Sequence, residues 1–98
     1  MSLPLIVTPE AEDDIADAKT WYNRQRKGLG DRFMLSVEEA FDRIQRMPAA
    51  GPETLPGVRR VMLRRFPYSV FYRADADQIA IIAVYHSKRD PRGWQRRV

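Results

Sequence analysis

The stretch VRRVMLRRFPYSVFYRADADQIAIIAVYHSKRDPRGW, Val58–Trp94, constrains the fold of this chain more than any other part of it. Strand-forming Val, Ile, Phe and Tyr crowd Val70–Tyr72 and Ile79–Tyr85, and such residues suit a pleated, half-buried surface. Phe66-Pro67 and Asp75-Ala-Asp77 supply the turns between them. The spacing predicts strands at about Arg59–Arg65, Tyr68–Arg73 and Ile79–His86, paired as an antiparallel meander. Ile79–Tyr85 holds no charged or amide side chain, so both its faces are expected to be covered.

Upstream the periodicity changes to that of helices. Leu3–Val7 reads as an edge strand, because Pro4 cannot donate to a ladder. Thr8-Pro9 opens a first helix, with Thr8 as cap and Pro9 at the tolerated first position. The acids Glu10, Glu12, Asp13, Asp14 and Asp17 favour its positive end and read as a solvated helix start, while Arg24, Arg26 and Lys27 suit the other end. Ala11, Ile15, Ala18 and Tyr22 share one face, and Gly28-Leu-Gly30 breaks the helix. A second helix runs from Leu29 or Asp31 to Met47, with Phe33, Val37, Ala40, Phe41, Ile44 and Met47 as its apolar stripe, and Pro48 stops it. The Pro- and Gly-rich segment 48–57 reads as a loop. The expected fold is α+β: a two-layer sandwich, β-α-α-β-β-β, with a helical hairpin packed on a small, mainly antiparallel sheet. At 98 residues, one domain spanning 1–98 is expected.

Composition narrows the function classes. Without cysteine there are no disulfides and no thiolate metal ligands, and the single histidine, His86, has no cluster of carboxylates beside it, so neither metal nor cofactor is expected. No apolar run approaches the ~20 residues of a membrane span, and the start MSLPLIVTPE lacks the pattern of a secretory signal, so a cytoplasmic protein is the expectation. Charge is unevenly placed: residues 1–50 carry 7 Lys/Arg against 9 Asp/Glu, and residues 51–98 carry 10 against 4. The C-terminal half therefore favours anionic partners, and Arg60, Arg64, Arg65, Arg89, Arg92, Arg96 and Arg97 are its candidate target-binding residues. Trp94 is expected to pack, with Arg92, Arg96 and Arg97 pointing outward. Cations on edge strands also discourage aggregation, which is the plainer reading of some of them.

An ordered set of landmarks runs through nearly the whole chain. Thr8-Pro9 is followed by Ala11, Asp14-Ile15 and Trp21-Tyr22, then by Gly30-x-x-Phe33, Met47-Pro48 with Gly51, and Gly57-Val-Arg59. Phe66-Pro67-Tyr68-x-Val-x-Tyr72 and His86-x-x-Arg89-Asp90-x-x-x-Trp94 complete it. In these the chain resembles the RelE/ParE superfamily, the toxins of bacterial type II toxin–antitoxin modules. That superfamily holds two activities: ribosome-dependent mRNA endoribonucleases of the RelE type, and ParE-like proteins that poison DNA gyrase.

Aligning Tyr68–Tyr72 with the ribonuclease branch puts its two strand lysines at Arg60 and Met62, and its strand arginine at Ser69. Arg89 keeps the late arginine, but Trp94 or its neighbours replace the downstream aromatic acid. Met62 carries no charge, Ser69 offers no guanidinium fork, and an indole has no usable proton to give. The loss of one transition-state donor costs about 2.7–4 kcal/mol, so two such losses would cripple a ribonuclease. The resemblance therefore implies the ParE-like branch: a non-enzymatic growth inhibitor acting on gyrase. Its implied partner is a cognate ParD-like antitoxin of ribbon-helix-helix type, forming a hetero-oligomer that touches DNA through the antitoxin. Trp21 and Tyr22 are candidate antitoxin contacts, although both also fit as core residues between the helices. The rival is a ribonuclease built on His86, Arg60, Arg65 and Arg89, with His86 as acid. Against it, His86 reads as a structural residue that closes its strand and bonds to the Asp90 turn. Tyr68, Tyr72 and Tyr85 could stack bases, but their spacing is also that of core tyrosines.

Overall fold

The computed structural model describes residues 2–98. Its order is β1 (Leu5–Val7), α1 (Pro9–Gln25), α2 (Leu29–Arg46), β2 (Glu53–Leu55), β3 (Val58–Met62), β4 (Tyr68–Ala74), β5 (Ile79–His86) and α3 (Arg92–Gln95). The strands form one sheet in the order β1-β5-β4-β3-β2, antiparallel throughout except for β1 against β5. The expected sandwich is observed, with one strand more than the meander required. β2 lies in what reads as the loop 48–57. Its three residues, Glu53-Thr-Leu55, have little strand propensity of their own. They are held because Pro56-Gly57 folds the chain back onto β3, with Gly57 at φ 75°. Pro followed by a residue of positive φ is the signature of a type II turn, so the turn is local while the strand depends on β3.

The helical hairpin covers one sheet face. Thr8 caps α1 by accepting the Ala11 N–H, and its own hydroxyl donates to the Ile81 carbonyl at 2.8 Å, so one side chain starts the helix and anchors it to β5. Ala11, Ile15, Ala18 and Tyr22 from α1 meet Phe33, Val37, Ala40 and Ile44 from α2 over Val70, Tyr72, Ile79, Ile81 and Val84. At the helix–helix contact, Gly30 sits so close to the Lys19 carbonyl and the Asn23 side chain that a Cβ would overlap them. Asn23 accepts the Gly30 N–H at 2.8 Å, which satisfies a donor that the first turn of α2 leaves free.

A bulge controls which side chains of β5 reach that core. Phe71 faces Ala83 while Tyr72 faces Ile81, so Ile82 is an extra residue with no opposite number. The alternation Ile79, Ile81 therefore resumes at Val84 rather than Ala83, and Ile82, Ala83 and Tyr85 join a second cluster on the outer face. There α3 folds back and stacks Trp94 on Phe71, centroids 3.9 Å apart, which buries an indole that is 2% exposed. Helices on one side and the C-terminal turn on the other explain why Ile79–Tyr85 has no charged or amide side chain.

Candidate functional site

The outer sheet face decides what chemistry is available. In the ladder Arg60 stands opposite Phe71, Met62 opposite Ser69, and Ser69 in turn opposite Tyr85. The positions that carry cations in the ribonuclease branch, here Arg60, Met62 and Ser69, thus lie on one face, with Tyr85 next to Ser69, and of the three only Arg60 keeps a charge. Met62 is 53% exposed, Ser69 is buried, and Trp94 covers the neighbouring Phe71. This face offers the Arg60 guanidinium, that of Arg89 over the Tyr85 ring, an alcohol and a phenol, and no paired acid and base among them.

His86 lies elsewhere. It stands opposite Tyr68, edge-on to that ring at 5.1 Å, on the face that carries the helices. Arg60 faces the outer side, three ladder positions along β4 from that pair, about 10 Å at ~3.4 Å per residue. His86 and Arg60 are therefore not brought together on one phosphate. The His86 ring accepts the Lys88 N–H on Nδ1 at 3.0 Å, which leaves the proton of a neutral ring on Nε2. It closes its strand, as read from the sequence, but through Lys88 rather than the Asp90 turn.

The other candidate cations separate into three groups. Arg64 and Arg65 stand exposed in the turn between β3 and β4, and Arg65 holds a left-handed φ of 70°, which a side chain rarely adopts. Arg89, exposed, lies over the Tyr85 ring at 4.2 Å. Arg92 and Arg96 point outward as expected; Arg92 is tied to Asp90 at 2.6 Å, and that guanidinium with the Arg92 N–H holds the Asp90 carboxyl below its usual range.

Arg97 overturns its expectation. Instead of pointing to solvent it runs inward, donating to both oxygens of Asp14 at 2.6 and 3.0 Å and to the Ile82 carbonyl at 3.1 Å. Asp14, in turn, is no solvated helix acid: its side chain is 8% exposed and accepts the Val84 N–H at 3.0 Å. The cause is the shortness of β1. Beyond Val7 the edge of β5 has no strand beside it, and Thr8, Asp14 and Arg97 satisfy the backbone groups of Ile81, Val84 and Ile82 in place of a ladder. Its hydrogen bond to Asp14 pushes the Arg97 guanidinium pKa up.

The two aromatic candidates divide. Trp21 is 53% exposed, while Tyr22 is buried, stacked on Phe33 and edge-on to Phe66. Tyr22 nevertheless reaches the base of an open groove of about 930 Å³ between α2 and the β3–β4 turn. Leu29, Leu35, Phe66 and Pro67 give that groove its apolar wall, with Arg32, Arg64 and Arg65 on its rim. Glu39 sits inside it, bonded to Arg43 through one oxygen at 2.6 Å, while its other, buried oxygen has no hydrogen-bond donor and lies 3.7 Å from Arg64. No motif announced this groove; exposed Leu35 on an otherwise regular amphipathic helix was its one sequence signal.

A helical hairpin on one face of a short sheet, a C-terminal turn packed on part of the other, and a nuclease row that has lost its charges at Met62 and Ser69 define a toxin of the RelE/ParE superfamily. More narrowly, residues 5–91 match the family described as ParE toxin of the type II toxin–antitoxin system parDE, and the chain belongs to that family. Toxin ParE2 from two strains of Mycobacterium tuberculosis, CDC 1551 / Oshkosh and H37Rv, is 33% identical over 92 residues, covering 93% of this chain and 88% of the relative. Among solved structures, the chromosomal ParDE TA system from P. aeruginosa superposes with a TM-score of 0.78 at 22% identity, over 89% of this chain and 98% of that one.

Proposed function

We propose that this ParE-family toxin arrests growth by binding DNA gyrase rather than by catalysing a reaction of its own. The observation that carries the reading is on the outer face: Met62 and Ser69 stand where the ribonuclease branch carries a lysine and an arginine, and His86 faces the other side of the sheet. A protein without those groups must act through its grip, and the exposed arginines Arg60, Arg64, Arg65, Arg89 and Arg96 are the means we assign to it.

The same reading supplies a partner. A cognate antitoxin, ParD-like and with a ribbon-helix-helix DNA-binding end, would neutralise the toxin through a segment that orders on binding. The groove lined by Leu29, Leu35 and Phe66 and rimmed by Arg32, Arg64 and Arg65 is suited to an acidic amphipathic segment, with Trp21 at hand as a further exposed aromatic.

Two assays test the proposal together. Purified chain added to gyrase and relaxed plasmid is expected to abolish supercoiling or trap cleaved DNA, and the antitoxin is expected to restore activity. Primer extension on mRNA from translating ribosomes is expected to show no new ends. Codon-dependent cuts that disappear in His86→Ala would transfer the protein to the ribonuclease branch.

A further inference from the structure

The topology gathers cations that lie far apart in sequence onto one end of the molecule. β3 and β5 finish where β4 begins, since Met62 pairs with Ser69 and His86 with Tyr68. α1 ends at this same place, because Tyr22 packs on Phe66 and Tyr68, and α2 starts there, with Ser36 donating to the Arg64 carbonyl at 2.7 Å. Four separate segments therefore deliver charge to one pole. The end of α1 and the turn that follows it bring Arg24, Arg26 and Lys27, and the first turn of α2 brings Arg32. The β3–β4 turn brings Arg64 and Arg65, and the turn after β5 brings Lys88 and Arg89.

All of these side chains are exposed, and apart from Arg64 none has a carboxylate within 4.0 Å among the described residues. The acids nearby are already engaged: Asp90 with Arg92, Glu39 with Arg43, and Asp31 with Lys19. Arg65 adds an independent sign. A residue serving the turn alone would be glycine or asparagine, whereas the chain places a guanidinium at φ 70° on the tip of the pole. The strain is tolerated because Phe66 and Pro67, the next two residues, are fixed by packing and by the Ser87 N–H donating to the Pro67 carbonyl.

We propose that this pole binds the phosphodiester backbone of duplex DNA directly, without base specificity and without the antitoxin. Arg24, Arg26, Lys27, Lys88 and Arg89 lie outside the groove that an acidic segment would fill, so the charged surface as a whole is wider than one such segment and suits a repeating lattice of anions, on a molecule whose smaller extents are 31 and 21 Å. Over 21 Å a duplex offers roughly a dozen phosphates, at about one charge per 1.7 Å of axis. About half of them face a bound protein, so about four to six contacts are within reach. The inference stands apart from the gyrase reading, since it concerns the free toxin and needs no enzyme.

Fluorescence anisotropy of the purified chain with a labelled 20-bp duplex of arbitrary sequence tests it. Affinity is expected to fall steeply with salt, with a log–log slope of about −4 to −5. Arg24→Gln with Lys88→Gln, two exposed positions outside the groove, is expected to cut affinity by about tenfold or more at 0.1 M salt and to lower the slope by about 2. Arg46→Gln with Arg73→Gln removes the same charge at the far end and is expected to leave both nearly unchanged. Arg65→Gly is expected to lose affinity while the thermal midpoint holds or rises, which excludes misfolding as the cause. Equal losses from the two double variants would overturn the proposal, as would a slope shallower than about −1. Tighter binding of polyglutamate than of duplex at equal salt would overturn it in favour of an acidic protein ligand.

Discussion

Asp14 should be the most costly acid in this chain to remove, although it lies in a run of acids that looks like ordinary helix-start charge. Asp14→Ala removes the acceptor of the Val84 N–H and both oxygens that hold Arg97. A buried N–H left without a partner costs about 1–3 kcal/mol. Breaking a buried ion pair from one side costs about 3–5 kcal/mol, but the Arg97 side chain is 19% exposed and retains the Ile82 carbonyl, which lowers that cost. We therefore expect about 3 kcal/mol in total, a large share of the stability of so small a protein. Asp14→Asn keeps an oxygen for Val84 but loses the charge and turns the oxygen facing Arg97 Nη2 into an NH2 donor, so about 1–2 kcal/mol is expected. Arg97→Met should fall between the two, because it leaves a carboxylate with a single N–H. The assay is urea unfolding followed by far-ultraviolet circular dichroism, with Asp13→Ala, an exposed neighbour, as the reference at under about 0.5 kcal/mol. The double variant Asp14→Ala with Arg97→Met should cost clearly less than the two single changes added together. If Asp14→Ala and Asp13→Ala unfold at the same urea concentration, or if the pair proves additive, side chains do not finish the β5 edge and the argument fails.

Three further outcomes follow from the packing. Gly30→Ala should cost more than about 2 kcal/mol because its methyl meets the Lys19 backbone, whereas Gly28→Ala, with open space but φ 86°, should cost only about 1 kcal/mol; thermal unfolding of the two variants separates steric from conformational cost. Iodide should quench only the fraction of fluorescence that Trp21→Phe removes, since Trp21 is 53% exposed and Trp94 2%; full quenching in Trp21→Phe would mean that α3 is not docked on the sheet. Burial raises the phenol pKa of Tyr22, Tyr68 and Tyr72 above the usual 10.0, so the unfolded chain ionises first. Their contribution to stability is complete below about pH 10 and is lost as pH rises through the folded values, so the urea midpoint should fall from about pH 10 upward, and a midpoint that stays level there would contradict their burial.

Much of this architecture was legible without coordinates, because its signals are local. Thr8-Pro9 fixes a helix start through a cap and a preset φ, Gly28 and Pro48 bound the second helix, and a run such as Ile79–Tyr85 tolerates no neighbour but other apolar groups. The absence of cations at Met62 and Ser69 was equally plain once Tyr68 and Tyr72 set the register, and the ladder brings both to one face. What the tertiary structure decided are matters of which neighbour a group finds. Glu53–Leu55 becomes a strand only because β3 is there to pair with it, and Ile82 shifts the alternation of β5 by one residue in a way no pattern of apolar letters encodes. Asp14 and Arg97, 83 residues apart, look solvated one at a time and are buried together. A side chain's type and its near neighbours set its preference for helix, strand or turn. Whether a charge faces water or replaces a missing strand depends on where a distant piece of backbone ends.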